Sequence, residues 1–322
     1  MAHLLEQMAY VGETPWHGLG NSLSPKQPLE VWAQQAGMNW KIEESPVHFM
    51  SDRVAHLGTI NIFPEQKVLY RSDSKQALSV VSQRYKVVQP REVLEFYRDL
   101  TDMAGYELET AGVLKGGKKF WALAKTDQSI ALKGNDQVHG YLLLATSCDG
   151  SLATTATPTT IRVVCNNTLS IAVNGATQAI KVPHSTRFDA QSVKQKLGVA
   201  VSQWDTFMYQ MRTLSERKVK SHEEMNYLLR VLCDVQPSNN KPAPLRNERA
   251  LKTVKSLYDG QGRGSELAAA KGTAWGLLNA VTEFVDHEKR ARSLEHRIDS
   301  AWFGQGAAIK QRALEAALQL AA

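Results

Sequence analysis

The side chains in this sequence that could do chemistry rarely stand at a recognised spacing. The closest to a nucleotide site is GVLKGGKK (112–119), where Gly112, Gly117 and Lys118 have the spacing of a phosphate-binding loop. Lys119 stands where a Ser or Thr would hold magnesium, and the loop is predicted to join two strands. Phosphate-binding loops lead instead into a helix, whose N-terminus receives the phosphates. The sequence therefore argues against a nucleoside triphosphate site here.

The same segment predicts a β-hairpin with a basic tip. The pair Gly116–Gly117 is typical of a tight turn between strands, and Lys115, Lys118 and Lys119 surround it. These lysines could contact the phosphates of a nucleic acid. They could equally be the charges of a solvated turn, and the sequence leaves both interpretations open.

A second basic candidate is the predicted helix RNERALKTVK (246–255). Arg246, Arg249, Lys252 and Lys255 recur every three residues and spread over about half of the helix circumference. A polyanion could bind along this side, but charges on a solvated helix face are common. Both interpretations stay open.

The segment TPTTIRVVCNNTL (157–169) places one arginine within an apolar strand. Arg162 lies between apolar residues, and Asn166 and Asn167 follow the predicted strand. Asparagines at a strand end usually satisfy the backbone of a turn, which is the interpretation we favour. An arginine beside two asparagines could also bind phosphate or base edges.

The sequence shows no catalytic or metal-binding pattern. Cys148, Cys165 and Cys233 form no CxxC pair and have no histidine at metal-ligand spacing, which predicts no disulfide framework and no zinc site. Such cysteines suit a reducing compartment. We therefore expect a protein without enzymatic activity, metal or cofactor, while an active site assembled from distant Asp, Glu and His residues stays open.

Charge divides the chain into two parts. Residues 1–180 hold 16 basic and 17 acidic side chains, whereas residues 181–322 hold 22 and 15, so the net charge of +6 belongs to the second part. The change in pattern predicts a β-rich α+β core domain over 1–180 and a basic helical domain over 181–322. No run of 18 apolar residues occurs, and the N-terminus lacks a basic lead, so we expect a cytoplasmic protein that does not span a membrane.

Hydrophobic periodicity predicts an α+β fold. The first part should form a mostly antiparallel sheet with hairpins and a packed helix, and the second part should be helical. Strands are predicted at 39–49, 67–72, 84–89, 106–114, 120–126 and 140–150 and within 151–169. Helices are predicted at 28–37, 90–103, 222–232, 245–258, 273–288 and 307–322, with one long amphipathic segment from residue 187.

Eight segments of the chain, taken in order, are similar to one family. They are ETPWHGLG (13–20), RYKVVQPREVLEF (84–96), TAGVLKGGKKFWALA (110–124), YLLLATSCDGS (141–151), IRVVCNNTL (161–169), PHSTRF (183–188), AWGLLNAVTEFVDHE (274–288) and WFGQGAAIKQRAL (302–314). Together they resemble the phage/plasmid-like proteins built on domain of unknown function 932. The resemblance implies an origin in a mobile element and carries no defined activity.

A looser resemblance concerns the order of elements. A sheet of strands, hairpin and helix beside a basic part is similar to the phage single-strand annealing proteins of the Erf and Rad-fifty-two-like group, which implies oligomeric rings and a groove for single-stranded DNA. We therefore expect an oligomeric DNA-binding protein of a phage or plasmid that anneals single strands in recombination or replication. The alternatives are an interaction factor that inhibits or redirects a host protein, and a nuclease or nucleotide-modifying enzyme.

Overall fold

The computed structural model describes residues 7–12, 15, 20–51, 58–165, 167–170, 172–173, 176–177, 179–201, 204–233 and 247–322. Strands dominate the first half of the chain and helices the second, which confirms the predicted α+β class. The strands are β1 (Met8–Val11), β2 (Asn21–Leu23), β3 (Ile42–Ser51), β4 (Thr59–Arg71), β5 (Ala77–Ser82), β6 (Glu107–Leu114), β7 (Lys119–Leu132), β8 (Asp136–Ser147), β9 (Thr154–Arg162), β10 (Asn167–Ser170), β11 (Ala172–Val173), β12 (Ala176–Thr177) and β13 (Ile180–Val182).

The helices surround these strands. They are α1 (Leu29–Gln35), α2 (Pro90–Ala104), α3 (Ala190–Val201), α4 (Trp204–Glu216), α5 (Ser221–Cys233), α6 (Glu248–Ser256), α7 (Ala274–Glu283), α8 (Leu294–Phe303) and α9 (Gln305–Ala321). None of the helices in the described ranges is long and apolar enough to cross a bilayer.

The main sheet is an antiparallel meander with additional strands at its edges. Its order is β10-β9-β8-β7-β6-β1-β2, and β13 also pairs with β9. The predicted hairpin at KGGKK is confirmed, because β6 and β7 pair from Leu114 and Lys119 outward. Gly116 and Gly117 have φ of 67° and 98°, a backbone conformation that glycine adopts without strain.

Alternation along the central strands gives the sheet two apolar faces. Phe120 and Leu142 lie on one face, which α1, α2, α3 and a second sheet of order β3-β4-β5 cover. Trp121 and Leu143 lie on the opposite face, where they contact Ile298 of α8. Successive side chains of a strand point to opposite faces of the sheet, so apolar side chains on both faces are buried only when other elements cover both. The main sheet therefore forms the middle layer of the fold.

The C-terminal helices form the largest apolar cluster and continue onto the sheet. Leu132, Val138 and Leu169 of the sheet belong to the same cluster as Met211 of α4 and Leu314 of α9. The apolar core thus crosses residue 180. The division into domains at that residue stays a prediction.

Two predicted elements differ from the structure, and one helix was missed. Residues 84–89 form no strand, because this extended segment makes isolated contacts instead of a ladder: the Tyr85 hydroxyl donates to Ser147 O over 2.9 Å and Lys86 N donates to His184 O over 2.6 Å. The long segment from residue 187 is described as two helices, α3 and α4. Helix α8 was not predicted, since its short apolar stripe lies between charged residues.

Candidate nucleic-acid interface

The turn between β9 and β10 is built around a buried ion pair. Arg162 ends β9 and Asp136 begins β8, with 3% and 0% of their side chains exposed. Arg162 Nε lies 2.8 and 3.0 Å from the two Asp136 carboxylate oxygens, and Nη2 donates to the second oxygen over 2.8 Å. A buried charge requires such a partner, because an isolated guanidinium would lose its hydration without compensation.

The remaining donors of Arg162 hold the loop that follows α6. Nη1 donates to Arg263 O over 3.3 Å and Nη2 to Gly264 O over 2.9 Å. Trp275 of α7 donates its indole N–H to Asp136 over 2.9 Å. Arg162 therefore has no free edge for a ligand, which corrects the interpretation of this residue as a phosphate or base contact. Asn166, the other member of that prediction, lies outside the described residues.

A second buried ion pair fixes the beginning of β10. Lys310 Nζ of α9 donates to Asp286 Oδ1 and to the Thr168 hydroxyl, both over 2.8 Å. The other carboxylate oxygen of Asp286 accepts the backbone N–H of Thr168 over 2.9 Å. Both charged side chains are buried, and each neutralises the charge of the other. Their hydrogen bonds to Thr168 hold the β9–β10 turn against α7 and α9.

Neither the thiol nor the imidazole at this turn suits nucleophilic chemistry. Burial raises the pKa of Cys165 to about 12, so its thiol stays protonated and unreactive. His287 Nε2 lies 2.9 Å from Cys165 O, which can only accept, so this nitrogen carries the proton and donates. Burial, with the nearby Arg263, lowers the pKa of His287. The described residues hold no cluster of three or more His, Cys, Asp or Glu able to bind a metal.

In the lysine hairpin between β6 and β7, two of the three lysines share one carboxylate of α8. Lys115 Nζ and Lys119 Nζ lie 2.6 and 2.5 Å from the two carboxylate oxygens of Asp299 in α8. Lys119 is 4% exposed, and Glu295 accepts the backbone N–H of Lys115. The prediction of an exposed basic tip is wrong for Lys119, which α8 covers, whereas Lys115 is half-buried beside the same carboxylate. Lys118 is half-buried and has no carboxylate partner among the described residues.

The basic helix is also largely neutralised by carboxylates. Lys255 Nζ lies 2.8 Å from Glu224 of α5, and Lys252 Nζ lies 2.7 Å from Glu248 one turn earlier. Arg249 is exposed and makes no ion pair with any described residue. Arg246 lies outside the described residues. Among the three of these four cations that the structure describes, Arg249 is the one without a carboxylate partner.

Sequence reasoning missed a basic loop between α7 and α8. We define the basic loop as Lys289, Arg290 and Arg292; Arg290 and Arg292 are exposed and Lys289 is half-buried. None of the three forms an ion pair with a described residue. The run KRAR (289–292) is the signal in the sequence that indicates this loop.

The basic loop lies beside the β9–β10 turn. His287, two residues before it, donates to Cys165 within the turn. Val163 and Val164 at the tip of the turn are 39% and 44% exposed. The segment just before the basic loop is thus held against a turn whose tip exposes two apolar side chains.

Arg263 borders this surface from the loop after α6. Its side chain is half exposed, and Nη1 lies 3.7 Å from the buried Glu283 carboxylate. Glu283 also accepts the backbone N–H of Arg263 over 3.0 and 3.1 Å. Burial raises the pKa of Glu283 although Arg263 opposes the shift. At this longer distance Arg263 keeps much of its side chain available to solvent.

The chain matches the family described as "Domain of unknown function (DUF932)" over residues 77–302, which is more than half of its length. It belongs to the DUF932 family. No curated protein and no solved structure matches the chain. The DUF932 region contains the lysine hairpin, the Arg162–Asp136 pair and the basic loop, whereas β3, β4 and Lys310 lie outside it.

Proposed function

We propose that this chain is a DNA-binding protein of a phage or plasmid that binds single-stranded DNA and anneals it in recombination or replication. The observation that carries the proposal is the basic loop, whose three cations have no carboxylate partner among the described residues. Free cations contribute to binding a polyanion because phosphate contact releases condensed counterions. Lysines already held by aspartate or glutamate contribute much less.

The position of the basic loop supports a single strand as the ligand. Val163 and Val164 expose apolar side chains on the turn that His287 joins to the basic loop, and unstacked bases offer apolar faces that duplex DNA hides. In this arrangement the loop contacts the backbone and the valines contact bases. The buried ion pairs below the surface keep the turn and the loop in fixed relative positions.

A salt titration of oligonucleotide binding tests the proposal. We expect replacement of Lys289, Arg290 and Arg292 by Ala to weaken binding and to reduce the slope of log affinity against log salt by about 2, since each phosphate contact to a single strand contributes about 0.7. Fluorescence anisotropy with a labelled oligonucleotide measures both quantities.

The matched control removes three other cations that have carboxylate partners. Lys75 pairs with Glu43, Arg91 with Glu95 and Lys271 with Glu266. Their replacement by Ala changes the net charge equally but should leave the slope close to that of the wild type. Equal effects of the two triple variants would show that net charge alone determines binding, and absence of binding at low salt would refute the function.

Annealing is tested separately from binding. We expect the wild-type chain to accelerate pairing of complementary single strands, to bind duplex more weakly, and to lose the acceleration with the basic-loop variant. Tight binding without faster pairing would restrict the function to strand protection.

A further inference from the structure

The second sheet ends in a two-stranded arm that extends beyond its third strand. Strands β3 and β4 pair from Ile42 with Arg71 to Ser51 with Thr59, whereas β5 reaches only Gln66 of β4. A bulge between Pro46 and Val47 separates the anchored base from the distal part. We define the arm as residues 47–51 and 59–63.

Both faces of the arm expose large apolar side chains. Met50 pairs with Ile60, and Ile62 lies on the same face; they are 56%, 68% and 59% exposed. Phe49 and Phe63 lie on the opposite face and are 50% and 38% exposed. A strand at a protein surface normally keeps one polar face toward water, so two apolar faces indicate a covered surface.

The arm also lacks the features that protect an exposed edge. Residues 47–51 and 59–63 contain no Asp, Glu, Lys or Arg. Beyond Gln66, neither strand of the arm has an outer neighbour in the described part of the chain. Edges that stay free in solution usually carry charges or are covered, because open backbone groups pair with other strands.

We propose that the arm is the contact between two copies of this chain. An acidic or basic partner would find no opposite charge on it, whereas the arm of a second copy is equally neutral and apolar. A twofold axis brings the same surface of each copy together, so one self-complementary patch is sufficient. Met50, Ile60 and Ile62 form such a patch on one face of each arm, and the open strand edges can pair across the same axis.

This inference does not depend on DNA binding, and its test contains no nucleic acid. Sedimentation velocity of the full chain from about 1 to about 100 µM measures self-association. We expect an oligomer that Ile60→Lys weakens at least tenfold. The control is Val80→Lys on β5, an apolar residue 54% exposed outside the arm, which should associate as the wild type does.

Hydrogen exchange of the wild type keeps the test decisive if Ile60→Lys fails to fold. The amides of residues 47–51 and 59–63 should gain protection as the concentration rises. A chain that stays monomeric over this range, protection that is independent of concentration, or association unaffected by Ile60→Lys would each overturn the proposal. Protection of a monomer's arm only by another protein would also overturn it.

Discussion

Arg162 and Asp136 form a buried ion pair, and residues from later segments of the chain make hydrogen bonds with both side chains. The guanidinium holds both oxygens of the carboxylate at 2.8 to 3.0 Å, and Trp275 donates to the same carboxylate. Two of the family-like segments, IRVVCNNTL and AWGLLNAVTEFVDHE, thus meet in one hydrogen-bond network. Their polar residues support the surface that carries the basic loop instead of forming a binding site themselves.

Asp136→Asn should strongly destabilise the fold. The change leaves the Arg162 guanidinium buried without its counter-charge, which costs about 3–5 kcal/mol of unfolding free energy. Urea denaturation followed by circular dichroism measures the loss. Glu248→Gln, which breaks the exposed pair with Lys252, is the control and should leave the midpoint nearly unchanged. Similar losses of unfolding free energy in both variants would contradict the argument that burial makes the Arg162–Asp136 pair important for stability.

Lys119→Met should lower stability but not oligonucleotide affinity. Lys119 is buried against Asp299, and loss of this charge-assisted bond costs about 2 kcal/mol because Lys115 still neutralises the carboxylate. Lys118→Met is the matched control, since the adjacent Lys118 has no carboxylate partner among described residues and should keep its stability. A fall in oligonucleotide affinity with Lys119→Met in the folded protein would instead support the prediction that the hairpin lysines contact nucleic acid.

Stability should fall as the pH drops below 6.5, and His287 should account for part of that fall. Burial and the nearby Arg263 lower the pKa of His287 from 6.5, while Asp286 and Glu288 act in the opposite direction. The unfolded chain therefore takes up the proton first, and stability present above pH 6.5 is lost as the pH falls toward the lower folded-state pKa.

His287→Gln removes this titration while a side-chain amide can still donate to Cys165. We expect its unfolding free energy to depend less on pH between about 7.5 and about 5.5 than that of the wild type. The comparison requires urea denaturation at several pH values within that range. Parallel curves for the two proteins would show that His287 titrates normally.

Gly276→Ala should destabilise the protein despite the helical position of the residue. A methyl group at Gly276 would overlap Ala270 O, a backbone atom that cannot move aside as a side chain does. Forcing this contact costs about 1–3 kcal/mol. In an open helix interior the same substitution would stabilise by up to about 1 kcal/mol, so the sign of the change in unfolding free energy identifies the clash.

Local sequence patterns predicted most of the central elements. Pro90 and the apolar stripe after it predicted α2, and the two glycines of KGGKK predicted the β6–β7 hairpin. These predictions succeeded because backbone preference and side-chain spacing act within a few residues. The segment 84–89 shows the limit, since its β-like composition indicates an extended chain but cannot supply a partner strand.

The amino-acid sequence by itself determined the α+β class, the alternation of the central strands and the excess of positive charge in the second part. The tertiary structure decided which cations remain free. Asp299 lies 180 residues from Lys119, and Asp136 lies 26 residues from Arg162. Only folding brings these carboxylates to the cations, because an ion pair depends on distance in space and on burial, not on spacing along the chain.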